Sequence, residues 1–165
     1  MPRQSAGLLP YRFSPERVLE VLLVHPGGPF WAGRDDGVWS IAKGEYEPDE
    51  APEAAANREF AEELGADLPT GTRIELGELR QPGGKRVRAW AVEGHVDAEN
   101  IVSNHFEMEW PPRSGKTALW PEVDRAAWMP VATAKQKLLK GQVAFVDRLV
   151  ERLEESGESD FSLGA

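Results

Sequence analysis

Between Lys43 and Gly65 the chain carries eight carboxylates, Glu45, Glu47, Asp49, Glu50, Glu53, Glu59, Glu62 and Glu63, against two cations, Lys43 and Arg58. The same stretch is made of helix formers, including the run Ala54-Ala55-Ala56. Pro52 stands where a first helical turn tolerates it, and Gly65 stands at the usual C-terminal stop. This predicts a helix from Asp49 or Glu50 to Leu64. At about 100° per residue, Glu59, Glu62 and Glu63 share one arc of that helix, and Ala56, Phe60 and Leu64 form an apolar stripe beside it. Such a helix would be anchored on one side and acidic on another. Like charges at i and i+4 cost an isolated helix roughly 0.2–0.5 kcal/mol per pair, and a bound cation would offset that. Hard oxygen donors without a His or Cys partner favour Mg²⁺, with Mn²⁺ possible, over zinc. A solvated acidic face has the same composition, so the flanking residues have to decide.

Around this segment the pattern alternates strand and helix. Ser5 to Phe13 and Val18 to His25 read as adjacent strands, the second ended by Pro26-Gly27-Gly28-Pro29. Gly33 to Gly37 is a polar loop, and Val38 to Ile41 a short apolar stretch. Arg73 to Gln81 and Lys85 to Gly94 read as strands around Pro82-Gly83-Gly84, and Phe106, Met108 and Trp110 alternate with Glu107 and Glu109 as in a half-buried strand. Pro111 to Lys116 is a loop, a further strand is expected near Ala126 to Pro130, and a helical region near Ala132 to Glu154, broken at Gly141. Strands interleaved with two helical regions indicate a layered α/β architecture in one domain, residues 1–155, with 156–165 as a frayed tail.

Composition excludes several classes of function. There is no cysteine, hence no disulfide framework, thiolate metal site or cysteine nucleophile. The apolar runs fall far short of the ~20 residues needed to span a bilayer. Met1 to Phe13 lacks a signal-like apolar stretch, so a cytoplasmic location is expected. A formal charge of -9 opposes binding to nucleic acid or an anionic membrane surface. The three histidines lie far apart without HxxxH spacing, which disfavours a His-based metal site; His25, following a strand, is placed near a cleft.

Gly44, five residues, Glu50, seven residues, then Arg58-Glu59-Phe60-Ala61-Glu62-Glu63-Leu64-Gly65-Ala66 resembles the Nudix box in all its fixed positions. Trp39-Ser40-Ile41-Ala42-Lys43 is similar to the lead-in of many Nudix hydrolases, with Ala42 where proline is common. Ser103 to Gly115 and Pro121 to Asp124 look like a bacterial group of Nudix NTP pyrophosphohydrolases. The resemblance implies an α/β/α sandwich with a mixed, curved β-sheet, and metal-assisted hydrolysis of a pyrophosphate linkage in a small nucleotide. It implies that Glu59, Glu62 and Glu63, with the Gly44 carbonyl, bind the divalent ion, while Glu50 and Arg58 orient them.

Lys43, Trp39 and Arg88 are the residues expected to bind substrate, with Arg86, Arg113 and Lys116 as further candidates for an anion-binding rim. Glu59 is the candidate base inside the box; Glu107 and Glu109 are candidates outside it. Any of six tryptophans could stack a base or belong to the core. Dinucleoside polyphosphate hydrolysis is the alternative activity, and a non-catalytic nucleotide-sensing module the alternative class. The oligomeric state is left open. Related isomerases that rely on a cysteine do not fit this chain.

Overall fold

A computed structural model describes residues 3–165. Its centre is a six-stranded mixed sheet formed by β1 (Gln4–Phe13), β2 (Leu19–Pro26), β3 (Ala42–Glu45), β4 (Arg73–Arg80), β5 (Arg86–Glu93) and β8 (Val123–Pro130). The order is β4-β5-β1-β2-β8, with β3 also on β1; β1 and β5 are parallel and the other pairs antiparallel. β6 (His105–Glu109) and β7 (Thr117–Pro121) form a separate two-stranded hairpin.

The strand alternation builds two cores. On one face Ala6, Leu8, Leu22, Val24 and Trp90 meet Ala55, Ala56, Phe60 and Leu64 of helix α1 (Pro52–Leu64). On the other, Leu9, Tyr11, Val21, Leu23 and Ala89 meet Val131 and Ala134 of α2 (Val131–Lys137) and Phe145, Val146, Leu149 and Leu153 of α3 (Val143–Glu155). Period-two strands sandwiched by amphipathic helices thus give the expected α/β/α layers. Phe60 and Leu64, both fully buried, each contribute roughly 1.5–3 kcal/mol of burial, which fixes the acidic helix to the sheet.

Helix α1 begins at Pro52 rather than at Asp49 or Glu50. A residue before proline is pushed out of the helical region, and Ala51 is extended (φ -65°, ψ 133°), so Glu50 stays outside the helix and free to turn back along it. Gly65 closes α1 in the left-handed conformation (φ 60°), its N–H donating to the Ala61 carbonyl. A Cβ there would lie 2.5 Å from the Val102 carbonyl oxygen, which excludes a side chain.

Strand β7 and the beginning of β8 occupy residues to which the sequence assigns no element, Leu119-Trp120 pairing across the hairpin with Phe106 and Glu107. The helical region is broken at Gly141 as expected, around a 3₁₀ turn at Lys140–Gln142. One other expectation changes. The stretch 156–165, expected as a frayed tail, runs back along the domain. Ser162 exchanges backbone hydrogen bonds with Arg17 and Leu19, Leu163 accepts from Ala132, and the Phe161 ring lies 5.6 Å from that of Phe13. Apolar residues at 161 and 163 give this short segment a reason to stay down.

Candidate active site

Arg58 organises the carboxylates of α1. Its guanidinium forks onto Glu50, with Nε 2.9 Å from Oε2 and Nη2 2.9 Å from Oε1. Its Nη1 donates to Glu59 Oε1 at 2.8 Å and more loosely to Glu62 at 3.3 Å. One planar, permanently charged group therefore sets the rotamers of three carboxylates. The Arg58 hydrogen bonds hold Glu50 below the usual carboxylate range. Glu59 is shifted upward instead, because burial outweighs Arg58.

Gly44 on β3 is the counterpart of this arrangement. A Cβ at that position would sit 2.0 Å from the Glu59 carboxyl carbon, so only glycine lets the strand and this carboxylate approach so closely. The preceding residue, Lys43, lies beside the carboxylate of Glu63. Burial pushes Glu63 up to about 8, countered by Lys43 and reinforced by repulsion from Glu59 and Glu122. The Lys43 ammonium is held below the usual lysine range by burial and by Lys85 beside it.

Glu63, Lys43 and Glu122 form the polar end of a cleft of about 230 Å³ whose remaining lining includes Trp31, Val38, Ile41, Val123 and Leu139. Of the expected box residues Glu63 lines the cleft; Glu59 is close enough to repel it, Gly44 lies against Glu59, and Arg58 links Glu59 to Glu62. Among the described residues no three carboxylates or imidazoles converge as a closed ligand shell, since Arg58 occupies the space between Glu59 and Glu62. The donor set is nonetheless hard oxygen throughout. The mutual repulsion among Glu59, Glu63 and Glu122 is an excess of negative charge that a divalent cation would relieve.

Outside the box few of the residues singled out from the sequence line the cleft. The Trp39 side chain does not reach the cleft: it is buried, its Nε1 donating to Asp35 Oδ1 at 2.8 Å, because Val38 and Ser40 take the two cleft-facing positions. Arg88 is paired with Glu75 at 3.1 Å across β4 and β5, and Arg86 lies near Glu78. Arg113 and Lys116 lie on the exposed loop of the β6–β7 hairpin. Glu107 and Glu109 are exposed on the same hairpin, Glu109 accepting from the Arg113 N–H, and neither lines the cleft.

Glu122 does line it, and sequence reasoning assigned it no role. The available signal was its place in Pro121-Glu122-Val123-Asp124, a lone carboxylate between a strand-ending proline and a buried valine. Of the six tryptophans, Trp31 alone borders the cleft. Trp90 is buried, Trp128 donates to the Val96 carbonyl, and Trp110 and Trp120 belong to the hairpin.

The loop carrying Trp31 is anchored at its far end by Lys137, which pairs with Asp35 and with Asp36 at 2.8 Å. The Lys137 hydrogen bonds lower both aspartates. An acid lowered in the folded state contributes stability above its ordinary value, lost as pH falls through the folded value. The pair is exposed, so Lys137→Ala is expected to lower Tm only slightly. In thermal melts that difference should disappear as pH drops below the ordinary aspartate value of 3.8.

An α/β/α layered domain that presents a Gly-Glu-Arg-Glu-Glu-Glu constellation from one strand, loop and helix defines a Nudix hydrolase. The chain belongs to that family: the model of the NUDIX domain matches residues 1–152. It is 27% identical over 108 residues to the CTP pyrophosphohydrolase of Escherichia coli, covering 66% of this chain and 73% of that one. Among solved structures, a Caenorhabditis elegans Ap4A hydrolase binary complex superposes with TM-score 0.62 at 19% identity, over 92% of this chain and 98% of the other. The NUDIX domain of Shewanella oneidensis NrtR complexed with ADP ribose superposes with TM-score 0.63 at 18% identity, over 93% and 89%. No described helix is long and apolar enough to cross a membrane.

Proposed function

We propose that this domain hydrolyses a pyrophosphate linkage in a nucleoside triphosphate or related nucleoside diphosphate derivative, using Mg²⁺ or Mn²⁺. The observation that carries this reading is the half-buried Glu63 carboxylate, crowded by Glu59 and Glu122 at the charged end of a cleft that is otherwise largely apolar. The Gly44 carbonyl, Glu59, Glu62 and Glu63 would hold the ion, which when bound neutralises phosphate oxygens and lowers the pKa of water. Arg58 positions Glu59 and Glu62. Lys43 reaches the cleft as a cation for a phosphate oxygen, and Glu59 or Glu122 accepts the proton of the attacking water. The apolar wall offers a surface for a base, with Trp31 as the stacking partner. A nucleoside triphosphate is preferred over a dinucleoside polyphosphate because the relative detected by sequence is a CTP pyrophosphohydrolase, whereas the Ap4A hydrolase shares the fold.

The test is product release from a panel of nucleoside triphosphates, diphosphate sugars and dinucleoside polyphosphates, with Mg²⁺, Mn²⁺ or a chelator. Hydrolysis of a nucleoside triphosphate to the monophosphate that stops on chelation and returns with Mg²⁺ is the expected result. Turnover that persists in the chelator, or turnover confined to dinucleoside polyphosphates, would overturn it.

A further inference from the structure

His25, near the end of β2, is fully buried, yet both of its ring nitrogens face oxygen acceptors. Nδ1 lies 2.9 Å from Asp124 Oδ1, and Nε2 lies 2.6 Å from the carbonyl oxygen of Arg34. The two contacts converge on one fully buried ring, so a single side chain of β2 joins β8 to the loop that carries Arg34.

We propose that His25, bridging Asp124 of β8 and the Arg34 carbonyl, is a positioning residue for the substrate: it ties the loop that forms one wall of the cleft to β8 and thereby sets substrate affinity. Residues 27–38 form only turns and bends, yet Trp31 and Val38 of this loop border the cleft. The carbonyl that His25 grips belongs to Arg34, whose guanidinium sits 4.3 Å over the Phe30 ring. Phe30 in turn meets Trp31 edge-on at 4.7 Å. The grip on Arg34 is therefore passed through two stacked contacts to the cleft wall. Trp39 packs edge-on against the His25 ring at 5.1 Å and closes the loop from behind. The charged groups around this assembly are Asp124 and Arg125 from β8, with Arg125 5.2 Å from the Trp39 ring, and Arg34 and Asp35 from the loop, Asp35 being paired with Lys137 of α2.

The inference rests on the proposed hydrolase reading, and the two can fail separately. Asp124→Asn keeps a hydrogen-bonding partner at Nδ1, and Asp124→Ala leaves Nδ1 without one. With a nucleoside triphosphate and Mg²⁺, Asp124→Ala is expected to raise KM about tenfold with kcat within about twofold, and Asp124→Asn to keep both within about twofold. An unchanged KM in a folded Asp124→Ala protein overturns the proposal. If that variant does not fold, His25→Phe, which keeps a ring and loses both contacts, is read by the same KM criterion. A parent protein that hydrolyses nothing in the panel counts against the hydrolase reading; amide exchange across residues 27–38, expected to be about tenfold faster in Asp124→Ala than in the parent, then decides whether His25 holds the loop, and equal exchange overturns the proposal.

Discussion

Replacing Glu63 by glutamine is expected to lower kcat by about three orders of magnitude while making the metal-free protein less sensitive to rising pH. The first effect follows if Glu63 is an ion ligand facing the cleft, because an uncharged amide of the same size supplies neither the charge nor the ligand strength. The second follows from the sign of its shift. Burial raises Glu63 from 4.5 to about 8, so its carboxyl stays protonated in the folded chain after it has ionised in the unfolded one. Stability is therefore fully present below 4.5, is lost as pH climbs towards 8, and stays lost above it. Thermal melts in a chelator should show Tm of the parent falling across that window, and a flatter profile for Glu63→Gln. Adding Mg²⁺ should restore much of the parent's lost stability and little of the variant's. A variant that turns over nucleotides at the parental rate would remove Glu63 from the reaction.

Arg58→Lys should cost activity 10- to 100-fold, because an ammonium cannot replace a fork that grips Glu50 with two nitrogens while a third donates to Glu59 and Glu62. The charge survives this change and the orientation does not, so the loss should appear with the metal site weakened: more Mg²⁺ is needed for half-maximal rate. Arg58→Ala should be worse, since it also leaves Glu59 without its charge-assisted partner. Equal Mg²⁺ requirements in parent and Arg58→Lys would show that the arginine does not act by setting these carboxylates.

Most of the acidic helix α1 is legible in the chain because local rules agree there. Ala-rich composition and Gly65 fix its existence and its end, Pro52 moves its start two or three residues later than expected, and the i, i+4 spacing of Ala56, Phe60 and Leu64 fixes which way it faces. The constellation around Gly44 is legible by spacing, and the close approach of Glu59 explains why a glycine stands there. What the sequence hides is long-range. Trp39 and Val38 are neighbours, and a strand bridge sends one into the core and the other to the cleft, which no local pattern decides. Glu122 comes opposite Glu63 only through pairing of β8 with β2, nearly a hundred residues apart in places. Likewise the His25 ring bridges Asp124 and Arg34, partners brought in from two different directions.

The contact between α1 and the sheet is made partly by Ala55 and Ala56, the smallest side chains that can be buried there. Small residues bring a helix backbone near its support and leave it little freedom to slide or roll. The carboxylates of α1 thus ride on a helix held close against the sheet, whereas the facing wall of the cleft hangs from turns secured by a few polar ties. On the hydrolase reading proposed above, exchanging residues 27–38 is expected to alter which nucleotide is accepted while leaving those carboxylates in place.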